Sequence, residues 1–415
     1  MSEPTSDNKL HMESARPACG TAIDPDLLTS CVHCGFCLEV CPTYQLTGDE
    51  NNSPRGRLRL WREESNGQLE PDPWTLAYTA ECVGCLACES ACPANVPYGT
   101  ILEQARHQHV STGRTKPAAW LRMAAKLAAR PRWFSRLMTP ARWLRRQGLL
   151  RHSMVFPGEP AVTLSTADYA EKLMASHPRR PTGPRVALLT GCLMESLFRE
   201  INFATVRVLI ENNVQVVVPR EQGCCGAMQE HLGLDGVETL RGDNRRVFAS
   251  LDVDAVVANS SGCGLATMKA MSGDKPVYDV LDFLSRLPLR RIERPDSSSR
   301  VYVDLPCHLV HGQKVAGIAA NVLDATGYTW EYAPMARDCC GSGGVYNLQQ
   351  PERAREILAR KAAFLEQAAG DPVILATSNH VCMMQWHSAR TQGLVKRPYE
   401  VRHVIQLLDP GKRGG

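Results

Sequence analysis

The 415-residue chain predicts an α+β multidomain protein, helical at its amino end and built from two tandem α/β units over its carboxyl half. Three observations predict it. Eight cysteines fall into two blocks of identical internal spacing before residue 93. A second cysteine pattern occurs twice, with starts 115 residues apart, each time on alternating strand-like and helix-like segments. Between Glu103 and Glu159 no Asp or Glu occurs, and basic and aromatic residues interleave there.

The first block reads Cys31-Val-His-Cys34-Gly-Phe-Cys37-Leu-Glu-Val-Cys41-Pro42, and the second Cys82-Val-Gly-Cys85-Leu-Ala-Cys88-Glu-Ser-Ala-Cys92-Pro93. Both are C-x2-C-x2-C-x3-C-P, the spacing that holds two [4Fe–4S] clusters in bacterial ferredoxins. Three cysteines two residues apart wrap a loop around three irons, and the fourth thiolate arrives from the other block. The motif therefore assigns Cys31, Cys34, Cys37 and Cys92 to one cluster, and Cys82, Cys85, Cys88 and Cys41 to the other. Gly35 and Gly84 let the loops turn, and the small Ala87 lets the chain approach a cluster. Pro42 and Pro93 are expected to keep the chain from continuing as a helix beyond the distant ligand. A zinc site commonly uses two C-x2-C pairs. Disulfide frameworks belong to small secreted domains. Neither explains two matched blocks in a chain of this length.

Composition is that of an ordinary globular protein, 44% hydrophobic and 22% charged, with a net charge of +4. Seventeen cysteines point to a reducing compartment where thiols serve metals. The acidic and polar segment Met1 to Leu10 lacks the basic start and apolar run of a signal peptide. No apolar run reaches the length of a transmembrane helix. The expected location is cytoplasmic, with peripheral attachment to the inner face of the cell membrane as an alternative.

The acid-free stretch carries Arg114, Lys116, Arg122, Lys126, Arg130, Arg132, Arg136, Arg142, Arg145, Arg146 and Arg151, interleaved with Trp120, Trp133, Phe134 and Trp143. It reads as a helical connector whose aromatics pack on the neighbouring domain while its arginines face water, or as a docking surface for an acidic partner. Contact with an anionic membrane surface is the further alternative. No nucleic-acid motif accompanies the charge.

In the carboxyl half, a β-branched run ends at Cys192, Cys224-Cys225-Gly226 follows, and Ala255-Val-Val-Ala-Asn-Ser-Ser-Gly leads to Cys263. The copy runs through Cys307, Cys339-Cys340-Gly341 and Cys382, so C-x31-C-C-G occurs twice. Each copy predicts a helix (Glu200 to Asn212; Val315 to Thr326) and a second strand (Val214 to Val218; Tyr328 to Tyr332). Alternating strands and helices imply parallel sheets, whose ligands collect beyond the carboxyl ends of the strands. The cysteines of each copy should therefore converge at one sheet edge.

The Cys-Cys-Gly pattern resembles the duplicated cysteine-rich (CCG) domain of heterodisulfide reductase B-type subunits and of iron–sulfur subunits of flavin-linked 2-hydroxy-acid dehydrogenases. The text from Cys31 to Glu50, then Ser53-Pro-Arg-Gly-Arg-Leu58, with Gly223 to Ala227, Ser261 to Gly264 and Cys339 to Ser342, resembles the family of glycolate oxidase (glycolate dehydrogenase) iron–sulfur subunits from about Leu28 to Leu407. The resemblance implies a flavin-bearing partner that oxidises glycolate to glyoxylate and sends electrons through this chain towards the respiratory chain. In the fullest form of the domain each copy ends in C-x2-C; here Ser260 and Asn379 stand at the first of those positions. Four thiols per copy remain, enough for one cubane or a zinc, so a further cluster or redox site at Cys192, Cys224, Cys225, Cys263, Cys307, Cys339, Cys340 and Cys382 stays open. His308, His311 and His380 are expected to make ordinary hydrogen bonds in packed loops, a ligand, relay or quinone role being the alternative. His33 reads as a donor to a cluster sulfur or as solvent-facing. Arg55 and Arg57 read as guanidinium donors near sulfur or as solvated loop residues.

The expected organisation is a ferredoxin-like two-[4Fe–4S] domain over 1–110, a basic helical connector over 111–183, and cysteine-rich units over 184–296 and 297–412, packed as a pseudo-twofold pair. No G-x-G-x-x-G follows a strand, so the FAD and the substrate site are expected on partner subunits, with no catalytic residue in this chain. The same layout serves D-lactate and anaerobic glycerol-3-phosphate dehydrogenases. A non-catalytic iron–sulfur sensor or assembly protein is the alternative from another class.

Overall fold

The computed structural model describes residues 23–146, 164–292 and 298–411. The amino-terminal segment on which the signal-peptide expectation rests, and Arg151 of the basic stretch, lie outside the described residues. Among the described residues no helix is long and apolar enough to cross a membrane.

The first part is a set of short helices tied together by polar caps. Helix Pro54–Ser65 starts at Ser53, whose hydroxyl accepts from the Gly56 amide at 3.0 Å. Gly56 is required because a Cβ there would lie 2.0 Å from the Glu50 carbonyl oxygen. Helix Tyr98–Ser111 buries Ile101, Leu102 and Ala105 on one face, against Trp61 and Leu58. Trp61 in turn donates to Thr79 Oγ1 at 2.9 Å.

The carboxyl half holds two four-stranded parallel sheets. The first comprises β1 (Arg185–Leu189), β2 (Gln215–Val217), β3 (Ala255–Ala258) and β4 (Val277–Asp279), ordered β2-β1-β3-β4. The second repeats this with β5 (Arg300–Asp304), β6 (Thr329–Tyr332), β7 (Val373–Thr377) and β8 (Tyr399–His403), ordered β6-β5-β7-β8. Strands β3 and β7 are buried along their whole length, as a parallel sheet covered on both faces requires. Helix Arg199–Glu211 presents Ile201, Ala204, Val208 and Leu209 to a core that runs on through β5, β7 and Val404–Leu407. The two sheets therefore share one hydrophobic core.

The expected helix Val315–Thr326 is present only as Ala320–Asp324. Tyr332 explains the loss: its hydroxyl donates to the Ile318 carbonyl at 2.6 Å, and a Cβ at Gly317 would lie 2.9 Å from that hydroxyl.

Asp279 ends β4 and caps helix Val280–Leu284, accepting from the Leu281 amide at 2.9 Å. Its other oxygen has no hydrogen-bond partner, and burial pushes the carboxyl up to about 7. The folded form thus binds a proton that the unfolded chain releases near pH 4, so this group's contribution to stability falls as pH rises from about 4 to about 7, by up to about 1.4 kcal/mol per unit. Asp279→Asn keeps an acceptor at the cap and is expected to flatten that slope in urea melts at pH 5 and pH 8; an unchanged slope would contradict it.

Candidate metal centres

Gly35 and Gly84 occupy the left-handed region (φ 92° and 73°) inside their cysteine blocks, which turns each loop back on itself. Pro42 does not stop a helix but opens one, Pro42–Thr47, with Cys41 at its N-cap. The fixed φ of proline and its missing N–H suit the first helical position. Pro93 follows the end of helix Ala87–Ser90, as expected.

Cys31, Cys34, Cys37 and Cys92 line one cavity together with Cys88, and Leu58, Val96 and Tyr98 complete its wall. Cys41, from the first block, is buried among the second: Cys85, Cys82 and Cys41, after burial, push the Cys88 thiol well above its ordinary range. Burial also raises Cys41, against the nearby Arg57 guanidinium, and raises Cys37, which feels both Cys31 and Cys41. Thiols pressed together in this way do not ionise jointly unless positive charge lies between them. An iron–sulfur core supplies that charge, so the donor set fits the group. Among the described residues no three His, Cys, Asp or Glu side chains form the shell of a single ion. A cluster differs in this respect, since its ligands sit at separate corners of a larger core.

Arg55 and Arg57 lie on helix Pro54–Ser65 and not on a loop. Arg55 pairs with Glu50 at 2.6 Å. Arg57 is 1% exposed. It donates to the Tyr78 carbonyl at 2.6 Å, to Asn52 Oδ1 at 2.9 Å and to Thr43 Oγ1 at 3.3 Å. Burial opposes its charge, yet Cys82, Tyr98 and Cys41 keep its proton affinity above the ordinary arginine value. It is thus a fixed cation beside the second sulfur set. Tyr98 adds an O–H donor to Cys82 Sγ at 3.5 Å.

Both repeats gather their cysteines at the strand ends. Cys192 follows β1 and Cys263 follows β3, the adjacent central strands, as Cys307 and Cys382 follow β5 and β7. This is the crevice where such sheets bind ligands. Cys224 donates to Cys192 Sγ at 3.5 Å. Hydrogen bonding from Cys224 and Cys263 pulls Cys225 well below the usual thiol range, and Cys339 and Cys382 do the same for Cys340. All eight thiols line one cavity between the repeats. Ser260 and Asn379 meet across it, Ser260 Oγ donating to Asn379 Oδ1 at 2.9 Å. Asn379 also donates to Cys382 Sγ at 3.3 Å, so this residue serves sulfur by hydrogen bonding where the fullest motif has a thiol.

The two kinds of site touch. Cys85 and Cys339 pack in one buried cluster with Val83, and a hydrogen bond from Cys339 lowers the Cys85 thiol. The histidines make the expected ordinary hydrogen bonds, though from the helical segments His308–Gly312 and His380–Thr391 and not from loops: His308 Nε2 to the Gly84 carbonyl at 2.9 Å, His311 Nδ1 to Ser90 Oγ at 2.8 Å, and His380 Nδ1 to Ser260 Oγ at 3.0 Å. His33 is exposed, and its carbonyl accepts from Arg55. His308 and His311 therefore bind the second cysteine loop to the second repeat.

Sequence reasoning missed Lys361. It is 2% exposed, lies 2.5 Å from Asp304 Oδ1 and donates to the Ala336 and Asp338 carbonyls behind Cys340. Its partners come from two distant segments, so no local pattern marks it. The tryptophans of the basic stretch depart from the packed-connector alternative: Trp120, Trp133 and Trp143 are exposed, and only Phe134 is half-buried.

Residues 27–96 match the 4Fe–4S dicluster domain family, and residues 186–267 and 301–386 each match the cysteine-rich domain family. The chain is 32% identical to the probable glycolate oxidase iron–sulfur subunit of Bacillus subtilis (strain 168), over 93% of this chain and 94% of that protein. It is also 32% identical to the glycolate oxidase iron–sulfur subunit of Escherichia coli (strain K12), over 94% and 95%. Lactate utilization protein A of Bacillus licheniformis is 23% identical, over 54% of this chain and 99% of that protein.

Proposed function

The chain belongs to the family of glycolate oxidase iron–sulfur subunits, and from that premise we propose that it is the electron-transfer subunit of a flavin-dependent glycolate dehydrogenase complex. A partner chain carries the flavin and oxidises glycolate to glyoxylate; this chain passes the electrons on towards the respiratory chain. Cys31, Cys34, Cys37 and Cys92 hold one [4Fe–4S] cluster, and Cys82, Cys85, Cys88 and Cys41 the other. Such clusters supply one-electron carriage.

The contact between Cys85 and Cys339 carries the reading. It joins the second cysteine block to the shared cavity of the repeats through buried side chains. Cys34 is the one exposed cysteine among the described residues, which makes its loop the accessible end of the series. Arg57 favours the reduced, more negative state of its neighbour set, and Tyr98 orients Cys82.

Full-length protein purified without oxygen is expected to carry about eight irons with matching sulfide if only the two cubanes are present, and about twelve or more if the repeats are also loaded. Low-temperature EPR then counts interacting spins. A colourless preparation, or one holding zinc alone, would remove the basis of the proposal. Combined with its flavin-bearing partner, the complex should turn over glycolate in preference to D-lactate or glycerol 3-phosphate. The isolated chain should oxidise none of them.

A further inference from the structure

Three consecutive helices, Ala119–Ala128, Pro131–Leu137 and Thr139–Arg146, pack one on the next. The first is two-faced. Leu121, Ala125 and Ala128 are buried, while Trp120, Met123 and Leu127 point outward at helical spacing. Trp133, Leu137 and Trp143 continue the exposed apolar set along the next two helices, and all but Leu127 are more than half exposed. Arg122, Lys126, Arg130 and Arg136 are exposed among them, and Arg136 lies 5.7 Å over the Trp133 ring. No acidic residue occurs from 104 to 158.

Six large apolar side chains in 24 residues are too many for a surface that faces only water. Water-facing helices carry both signs of charge, and this one carries a single sign. A protein partner would accept the charge, but three solvent-exposed indoles interleaved with guanidinium groups fit a headgroup boundary better. There the amphipathic indole ring sits at the interface and each basic residue adds attraction to anionic lipid.

We propose that this face docks the protein on the surface of an anionic lipid bilayer. The helices lie along the bilayer and do not cross it, consistent with their length and with the absence of a spanning helix among the described residues. The opposite face of the first helix seals the first repeat: Ala128 packs on Cys192 and Cys224, and Gln229 donates to the Ala125 carbonyl at 2.8 Å. Docking therefore brings one cysteine quartet within about 10 Å, one helix diameter, of the lipid headgroups.

The test uses the full-length, cluster-loaded chain and sedimentation with vesicles rich in phosphatidylglycerol or made of phosphatidylcholine alone. Binding to the former, weakened by salt, is expected. The variant W120A/W133A/W143A should lower the partition at least about tenfold, with iron content and melting temperature unchanged because these rings are exposed. R122E/K126E should lower it on anionic vesicles as well. Three results overturn the proposal: no sedimentation with anionic vesicles, equal sedimentation of the triple-tryptophan variant, or loss of a flavin-bearing subunit from that variant while its vesicle binding persists.

Discussion

Cys41→Ala is expected to empty the site lined by Cys82, Cys85 and Cys88 while leaving the one at Cys31, Cys34 and Cys37 filled. Cys41 belongs by sequence to the first block, but it is buried and its charge bears on Cys88. Its carrier, the N-cap of helix Pro42–Thr47, is held by Thr43, whose hydroxyl donates to the Asn52 carbonyl at 2.9 Å and accepts from Arg57 at 3.3 Å. Removing the thiol leaves Arg57 facing a three-sulfur set with one corner open. About half of the dicluster iron should be lost. Electron delivery through the complex should fall at least about a hundredfold, since even outer-shell changes at metal sites cost about ten- to a hundredfold. Cys92→Ala is the mirror experiment and should spare the Cys82 set. EPR of the two variants separates the cases: if Cys41→Ala removes the signal that Cys92→Ala also removes, and spares the other, the crossed assignment is wrong.

What could be read in the sequence was whatever depends on short-range spacing. Cluster ligation imposes a fixed separation on thiols, so the two blocks declare themselves. Buried parallel strands require unbroken apolar runs, so β1, β3 and β7 stand out at Ala187–Leu189, Ala255–Ala258 and Val373–Ala376. The sequence order of strands and cysteines then places the quartets at strand ends. Features set by long-range contact were not legible. Lys361 looks like any other basic residue on a helix, and only Asp304 and Ala336, from elsewhere in the chain, make it an interior group; Arg57 is legible as a candidate donor near sulfur, but its burial on a helix among Thr43, Asn52 and Tyr78 is not. The shortened helix before β6 depends on where the Tyr332 ring falls. The fate of the tryptophans in the basic stretch depends on whether a neighbouring surface covers them, which local spacing does not encode. Pro42 was misjudged because proline suits both the end of one helix and the start of the next.

Lys361→Met should be among the most destabilising single changes outside the cysteines. The ammonium group lies in the last turn of helix Pro351–Ala362, fully enclosed, with Asp304 and two main-chain carbonyls as partners. Asp304 ends β5 and also accepts from Trp386 Nε1 at 2.7 Å, so it has no route to solvent. Burial already pushes its carboxyl up to about 6, with Lys361 opposing that rise. Without the lysine the carboxylate is an uncompensated buried charge, and breaking such a pair costs about 3–5 kcal/mol. At about 2–4 °C per kcal/mol for a unit of this size, melting should drop by roughly 10 °C. The sign of the pH dependence follows. The variant's Asp304 escapes its penalty by holding a proton that the unfolded chain releases near pH 4, so the deficit relative to the parent should shrink as pH is lowered from 8 towards 5. Asp304→Asn combined with Lys361→Met should recover much of the loss, because it removes the stranded charge while keeping an acceptor for Trp386. A deficit below about 1 kcal/mol, or one that does not depend on pH, would mean that the pair behind Cys340 is not the buried, mutually dependent unit described here.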